Sequence, residues 1–180
     1  MNADEKLNAD KRLTTDEKLN ADERLEADGQ RSSVFRGLHS EVTEKILGGF
    51  FEVYNELGGG FLESVYHEAL RIALGQAGLR VVSQVPVPVH FRGEIVGNFR
   101  ADLIVNDCVL LELKAISAFD REHEGQILHY LRATSLEVGL LLDFGARARF
   151  KRFILENDKK RIRVLPCESA VGALRNYEWE

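Results

Sequence analysis

Two cysteines, Cys108 and Cys167, are too few for a disulfide framework, and their spacing is not that of a zinc site. Cys108 stands in or beside an apolar stretch and reads as a small core or turn residue. No apolar run approaches the 18 or so residues of a membrane span. The N-terminus is dense in charge, so no signal peptide is read there. Positive charge is not in excess either. The net charge is −5, which excludes a basic nucleic-acid coat. A soluble, cytoplasmic protein with no membrane partner is expected. Its 180 residues and 44% hydrophobic content suffice for one domain with a real core.

The charge that is present is uneven. Residues 1–31 hold nine acidic and six basic side chains, which leaves the rest of the chain close to neutral. Those first residues repeat every six: NADEKL, NADKRL, TTDEKL, NADERL. On a helix, Leu7, Leu13, Leu19 and Leu25 would step around the axis by about 120° and could not form one stripe. Residues 1–33 therefore read as a disordered or transiently helical tail with too little to bury. Residues 168–180 read as a second, shorter tail or a packed terminal segment, and residues 34–167 as the domain. Within the domain, Arg147 to Arg163 carries eight Lys/Arg against Glu156 and Asp158. That tract is either a solvated strand edge and turn or a surface that neutralises phosphates.

Ser40 to Leu57 has apolar residues at helical spacing (Val42, Ile46, Phe50, Val53, Leu57), with Ser40 as a candidate N-cap. Gly58, Gly59 and Gly60 stop that helix, and a second is expected from near Phe61 to Gly78. Then the period changes. Val81 to Phe91 alternates and carries Pro86 and Pro88, which places it at a sheet edge. Residues 97–105 and 109–116 read as strands, 121–133 as a helix, and 137–144 and 150–156 as strands. The order is α, α, β, β, β, α, β, β. Strands apolar on both faces point to a sheet covered on both sides, in a mixed α/β architecture.

Inside that apolar pattern lies Leu110-Leu111-Glu112-Leu113-Lys114-Ala115. Burying Glu112 and Lys114 is costly without compensation. A two-residue turn before this strand would put Asp102 and Glu112 on opposite faces. A three-residue turn pairs Val105 with Val109 and sets Asp102 opposite Glu112, with Lys114 on the same face. Opposed carboxylates repel unless a cation lies between them. The three-residue turn therefore predicts a site for Mg²⁺ or Mn²⁺, hard ions that take carboxylate oxygens and water.

Asp102 followed by Glu112-Leu113-Lys114 resembles the signature of the PD-(D/E)XK nuclease superfamily. Gly60-Phe61-Leu62-Glu63-Ser64-Val65-Tyr66 resembles, more closely, the motif of the bacterial GxxExxY proteins. LGGGFLESVYHEAL, FRADLIV, LELKA, QILHYL and GLLLDFG extend that resemblance over roughly residues 40–155. It implies a restriction-endonuclease-like α-β-β-β-α-β core with an extra N-terminal helix. It also implies Asp102, Glu112 and Glu63 as metal ligands and Lys114 as the assistant of an attacking water. Gln126 and Tyr130, one helical turn apart, match the Q-x-x-x-Y of the helix after the third strand, so Gln126 is a further candidate catalytic residue. The chain departs from the superfamily pattern at Ala101, where a proline commonly precedes the aspartate. The reading that follows is a Mg²⁺- or Mn²⁺-dependent nuclease with DNA or RNA as partner, able to act as a homodimer. The alternative is a nuclease-like module that binds nucleic acid or a protein without cutting. In a third, weaker reading the six-residue repeat is the working part. Tyr66 reads as core. The five histidines repeat no metal motif, and only a weaker reading brings His123, one turn from Gln126, toward the site.

Overall fold

The computed structural model describes residues 37–160, apart from Gly93 and residues 117–120. The N-terminal repeat, the 168–180 segment and the last three residues of the basic tract lie outside the described residues.

Helix α1, Ser40–Leu57, buries Ile46, Phe50 and Val53, the stripe expected from the spacing. Ser40 is its first helical residue and not its cap. His39 precedes it in the left-handed region with no side-chain cap, and its carbonyl already accepts the Thr43 N–H at 2.9 Å. Gly58 ends the helix with φ 69° and donates its N–H to the Tyr54 carbonyl. Helix α2, Glu63–Gln76, starts two residues later than the apolar pattern alone implies, because Leu62 is extended.

The five strands run β1 (Val81–Phe91), β2 (Glu94–Val105), β3 (Val109–Lys114), β4 (Val138–Asp143) and β5 (Arg149–Ile154). Their spatial order is the chain order. Neighbours are antiparallel except β3 and β4, which are parallel. A parallel pair needs a crossover, and helix α3, Arg121–Ala133, supplies it. The proline-bearing β1 is an edge strand.

Both faces of the sheet are covered. Leu103, Val105, Leu111, Leu113, Leu140 and Leu142 pack against α1 and α2. Ile104, Leu110 and Leu141 face α3 through Ile127, Tyr130 and Leu131. This alternation is why β3 and β4 are apolar throughout: each residue meets one core or the other.

Much of the basic tract is used to hold the fold. Arg149 pairs with Asp143, Lys151 with Glu124 at 2.9 Å, and Lys159 with Glu156 at 2.6 Å. Buried Arg152 donates to the Leu38 carbonyl at 2.6 Å. Lys160 donates to the carbonyls of Thr134 and Leu136, just past the C-terminus of α3. Cationic donors there complement the negative end of the helix.

Candidate active site

The site begins with the turn between β2 and β3. Val105 pairs with Val109, so the turn has three residues. Asn106 and Asp107 take the left-handed region (φ 48° and 55°), and the Cys108 N–H closes onto the Val105 carbonyl at 3.0 Å. Asn and Asp tolerate that conformation better than most side chains. Leu103 is then opposite Leu111, and the next residues along are Asp102 and Glu112.

Regular pairing stops at that point. In its place, Asp102 Oδ2 accepts the Leu113 N–H at 2.8 Å. The carboxylate fills the gap where the strands part and is fixed there. Glu112 is buried, with 1% of its surface exposed. Its Oε1 accepts a hydrogen bond from Lys114 Nζ at 2.6 Å. Its Oε2 is buried with no hydrogen-bond partner among the described residues. Burial pushes the Glu112 carboxyl up to about 7, and the charges of Asp102 and Glu63 add to the rise while Lys114 opposes it. Burial works against the Lys114 ammonium. The bond to Glu112 and the charges of Glu112, Glu63 and Asp102 outweigh burial and hold its pKa above the usual lysine range.

Glu63 is the first residue of α2. Its position depends on the glycine loop. Buried Tyr66 donates its hydroxyl to the Gly58 carbonyl at 2.7 Å and accepts the Phe61 N–H at 3.1 Å. The Tyr66 ring stacks on Phe144 at 4.5 Å. Tyr66 is thus a core residue, as the sequence suggests, and also the post that ties the entry of α2 to the rest of the core. The loop is tight: a Cβ at Gly59 would lie 2.5 Å from the Gly145 carbonyl oxygen. The Glu63 pKa is raised, first by burial and also by Asp102, against the pull of Lys114, His123 and His67. His123 therefore lies within electrostatic reach of the site.

A cleft of about 260 Å³ opens between α2 and the sheet, lined by Glu63, Ser64, His67, Gln84, Asp102 and Leu113. His67 Nε2 is 3.1 Å from the Asp102 carbonyl oxygen. Ser64, His67, Gln84 and the Leu113 N–H do not stand out in the sequence. His67 left a trace, since it follows Glu63 by four residues and shares its helix face. Gln126 is turned toward Tyr130, donating to its hydroxyl at 2.8 Å, and that hydroxyl donates to the Arg100 carbonyl at 3.1 Å. Burial raises the Tyr130 pKa and Gln126 opposes the rise, while Glu112 and Asp102 also push it up. The Gln126–Tyr130 pair thus borders the carboxylates and ties α3 to β2 two residues before Asp102.

The donor set suits a hard divalent ion. Glu112 Oε2 is buried with no hydrogen-bond partner among the described residues, and ionising that carboxyl is unfavourable without a cation. Among the described residues no three Asp, Glu, His or Cys side chains close into a ligand cage. The set at hand is the Asp102–Glu112 pair with Glu63 across the cleft. A sparse oxygen set of this kind matches an ion that keeps several of its waters, as Mg²⁺ does.

A profile of the PD-(D/E)XK nuclease superfamily matches residues 40–153. The chain belongs to that superfamily. Its order from α2 to β4 is the α-β-β-β-α-β core, with α1 as the added N-terminal helix. The architecture is mixed α+β and restriction-endonuclease-like. Ala101, at the place where the superfamily commonly carries proline, is wholly buried against the α3 core and pairs with Val85. A proline there would remove a donor from the ladder. No curated protein matches the chain. Among solved structures, the crystal structure of SSO0001 is similar at 20% identity with a TM-score of 0.43. That match covers 67% of this chain, which spans 62% of the other.

Proposed function

We propose that this member of the PD-(D/E)XK nuclease superfamily is a Mg²⁺- or Mn²⁺-dependent nuclease that hydrolyses phosphodiester bonds of DNA or RNA. The observation that carries the reading is Glu112: a buried carboxylate within electrostatic reach of Asp102, with one oxygen on Lys114 and the other without a hydrogen-bond partner among the described residues. A binding module has no physical reason to keep opposed carboxylates where a polyanion must approach. The motif Gly60 to Tyr66 supports the closer affiliation, with the GxxExxY group.

Asp102 and Glu112 would hold the ion, with Glu63 across the cleft completing its surroundings. When bound, the ion would supply a Lewis acid for a phosphoryl oxygen and lower the pKa of a water. The Leu113 N–H keeps Asp102 from rotating away from that position. Lys114, held by Glu112, would present its ammonium toward the attacking water or the charge that develops on the phosphoryl oxygens. Gln126 holds Tyr130 and through it the strand that carries Asp102. One phosphorus–oxygen ester bond is exchanged for one from water, and the leaving sugar oxygen takes up a proton. Such a protein acts in the cytoplasm in our reading, and a homodimer would offer one cleft to each strand of a duplex. Among the described residues no helix is long and apolar enough to cross a membrane.

The test is Mn²⁺ binding by calorimetry to the wild type and to Asp102→Asn, with folding verified by circular dichroism. Binding that the variant loses supports the site and leads to a cleavage screen on DNA and RNA. A folded wild type that neither binds Mn²⁺ nor cuts would favour the non-cutting module.

A further inference from the structure

Strands β1 and β2 share a local irregularity that ordinary alternation does not explain. Residues four apart on a strand share a face. Yet Val81 packs with the α1/α2 core and Val85 with the α3 core. On β2, Leu103 lies in the first core and Ala101, two residues away, in the second. Both strands turn over at the same level. The register pairs Ser83 with Leu103 and Val85 with Ala101, so Gln84 and Asp102 occupy the step between. Gln84 makes this possible by taking φ 54°. That region favours glycine, and a long side chain there is strained. The exposed Gln84 lines the same cleft as Asp102, Glu63 and His67.

The cleft needs a donor of this kind. It is lined by the carboxylates of Glu63 and Asp102, with Glu112 in electrostatic reach of both, and the neighbouring ammonium, Lys114, is bonded to Glu112. A phosphate entering among these groups is repelled until its oxygens find hydrogen. An amide offers two N–H donors without a charge that would compete for the carboxylates. A lysine at this position would instead pair with them.

We propose that Gln84 is a substrate-binding residue whose side-chain amide donates to a non-bridging oxygen of the nucleic-acid phosphate seated beside Asp102. The inference rests on the nuclease reading. Gln84 lines the cleft from a left-handed backbone position, a costly conformation of the kind that clusters at ligand sites.

The deciding variant is Gln84→Gly, which accepts the backbone conformation and removes the side chain with its amide. Its thermal midpoint and Mn²⁺ affinity should equal or exceed those of the wild type. On a labelled mixed-sequence oligonucleotide, kcat/KM should fall about ten- to a hundredfold, the range for a lost hydrogen bond to a charged group. Gln84→Asn, which keeps an amide and tolerates the conformation, should recover part of that loss. A Gln84→Gly protein that cuts within about twofold of wild type overturns the proposal and leaves the nuclease reading intact. Parallel losses of thermal midpoint, Mn²⁺ affinity and cleavage would make Gln84 structural and also overturn it. A wild type that binds Mn²⁺ but neither binds nor cuts DNA or RNA overturns the nuclease reading, and this inference with it.

Discussion

Replacing Glu112 by glutamine should make the metal-free protein more stable at about pH 8, although it removes an ion pair. The Glu112 carboxyl rises from 4.5 to about 7 in the folded chain, chiefly through burial and also through the charge of Asp102. That rise already includes the attraction of Lys114, which pulls the other way. At about 1.4 kcal/mol per tenfold change in proton affinity, it costs the ionised folded protein about 3 kcal/mol. Glutamine resembles the protonated acid and still offers Lys114 an oxygen, so a gain of about 1–3 kcal/mol is expected. The sign follows from linkage. The folded form binds the proton more tightly than the unfolded form. The cost is therefore absent below about pH 4.5, builds between 4.5 and about 7, and stays constant above that. The gap between variant and wild type should close as the pH is lowered toward 4.5. Urea denaturation in EDTA across this range measures it. Added Mn²⁺ should reverse the ranking, because binding to the native state stabilises the wild type by mass action. A Glu112→Gln protein less stable than wild type at about pH 8 in EDTA would refute the reasoning, since the pair would then repay its own burial.

Two other substitutions separate structural from functional groups. Tyr66→Phe removes the bonds to Gly58 and Phe61 but keeps the ring on Phe144. It should cost about 1–2 kcal/mol in urea denaturation and weaken Mn²⁺ binding through the displaced entry of α2, with the core otherwise unchanged. Asp143→Ala strands the amides of Ile116 and Gly145 and removes a partner of Arg149. It should cost about 2–4 kcal/mol, and a folded fraction isolated at low temperature should still bind Mn²⁺.

The parts of this fold that follow from periodicity were legible. The spacing of Ile46, Phe50 and Val53 gives α1, and the two-sided apolar runs of β3 and β4 give a sheet buried between helix layers. The pairing of Asp102 with Glu112 was legible only as one of two registers. The choice between them lay in the left-handed backbone of Asn106 and Asp107, which composition permits but does not require. The cap of α1 was read one residue late because His39, not Ser40, takes the special conformation. Gln84 was invisible for the same kind of reason. Nothing in the alternation of β1 announces a positive φ at a glutamine. The basic tract could be counted but not placed: that Lys160 bonds carbonyls beyond α3 and Arg152 the Leu38 carbonyl is decided by packing.

The contrast between two buried acids of the sheet carries the functional argument furthest. Asp143 is wholly buried on β4, and both its oxygens are taken: Oδ1 accepts the amides of Ile116 and Gly145 at 3.0 Å, and Oδ2 the guanidinium of Arg149. Such an acid is a structural part, expensive to bury but fully compensated. Glu112 is buried almost as completely on the neighbouring strand, two residues before the position that pairs with Asp143. Among the described residues it has one hydrogen bond, one open oxygen and a second carboxylate, Asp102, in electrostatic reach. By sequence the two are alike, an acid inside an apolar strand. The open oxygen of Glu112 separates them: the fold leaves that atom to a proton or, in the proposed site, to a cation.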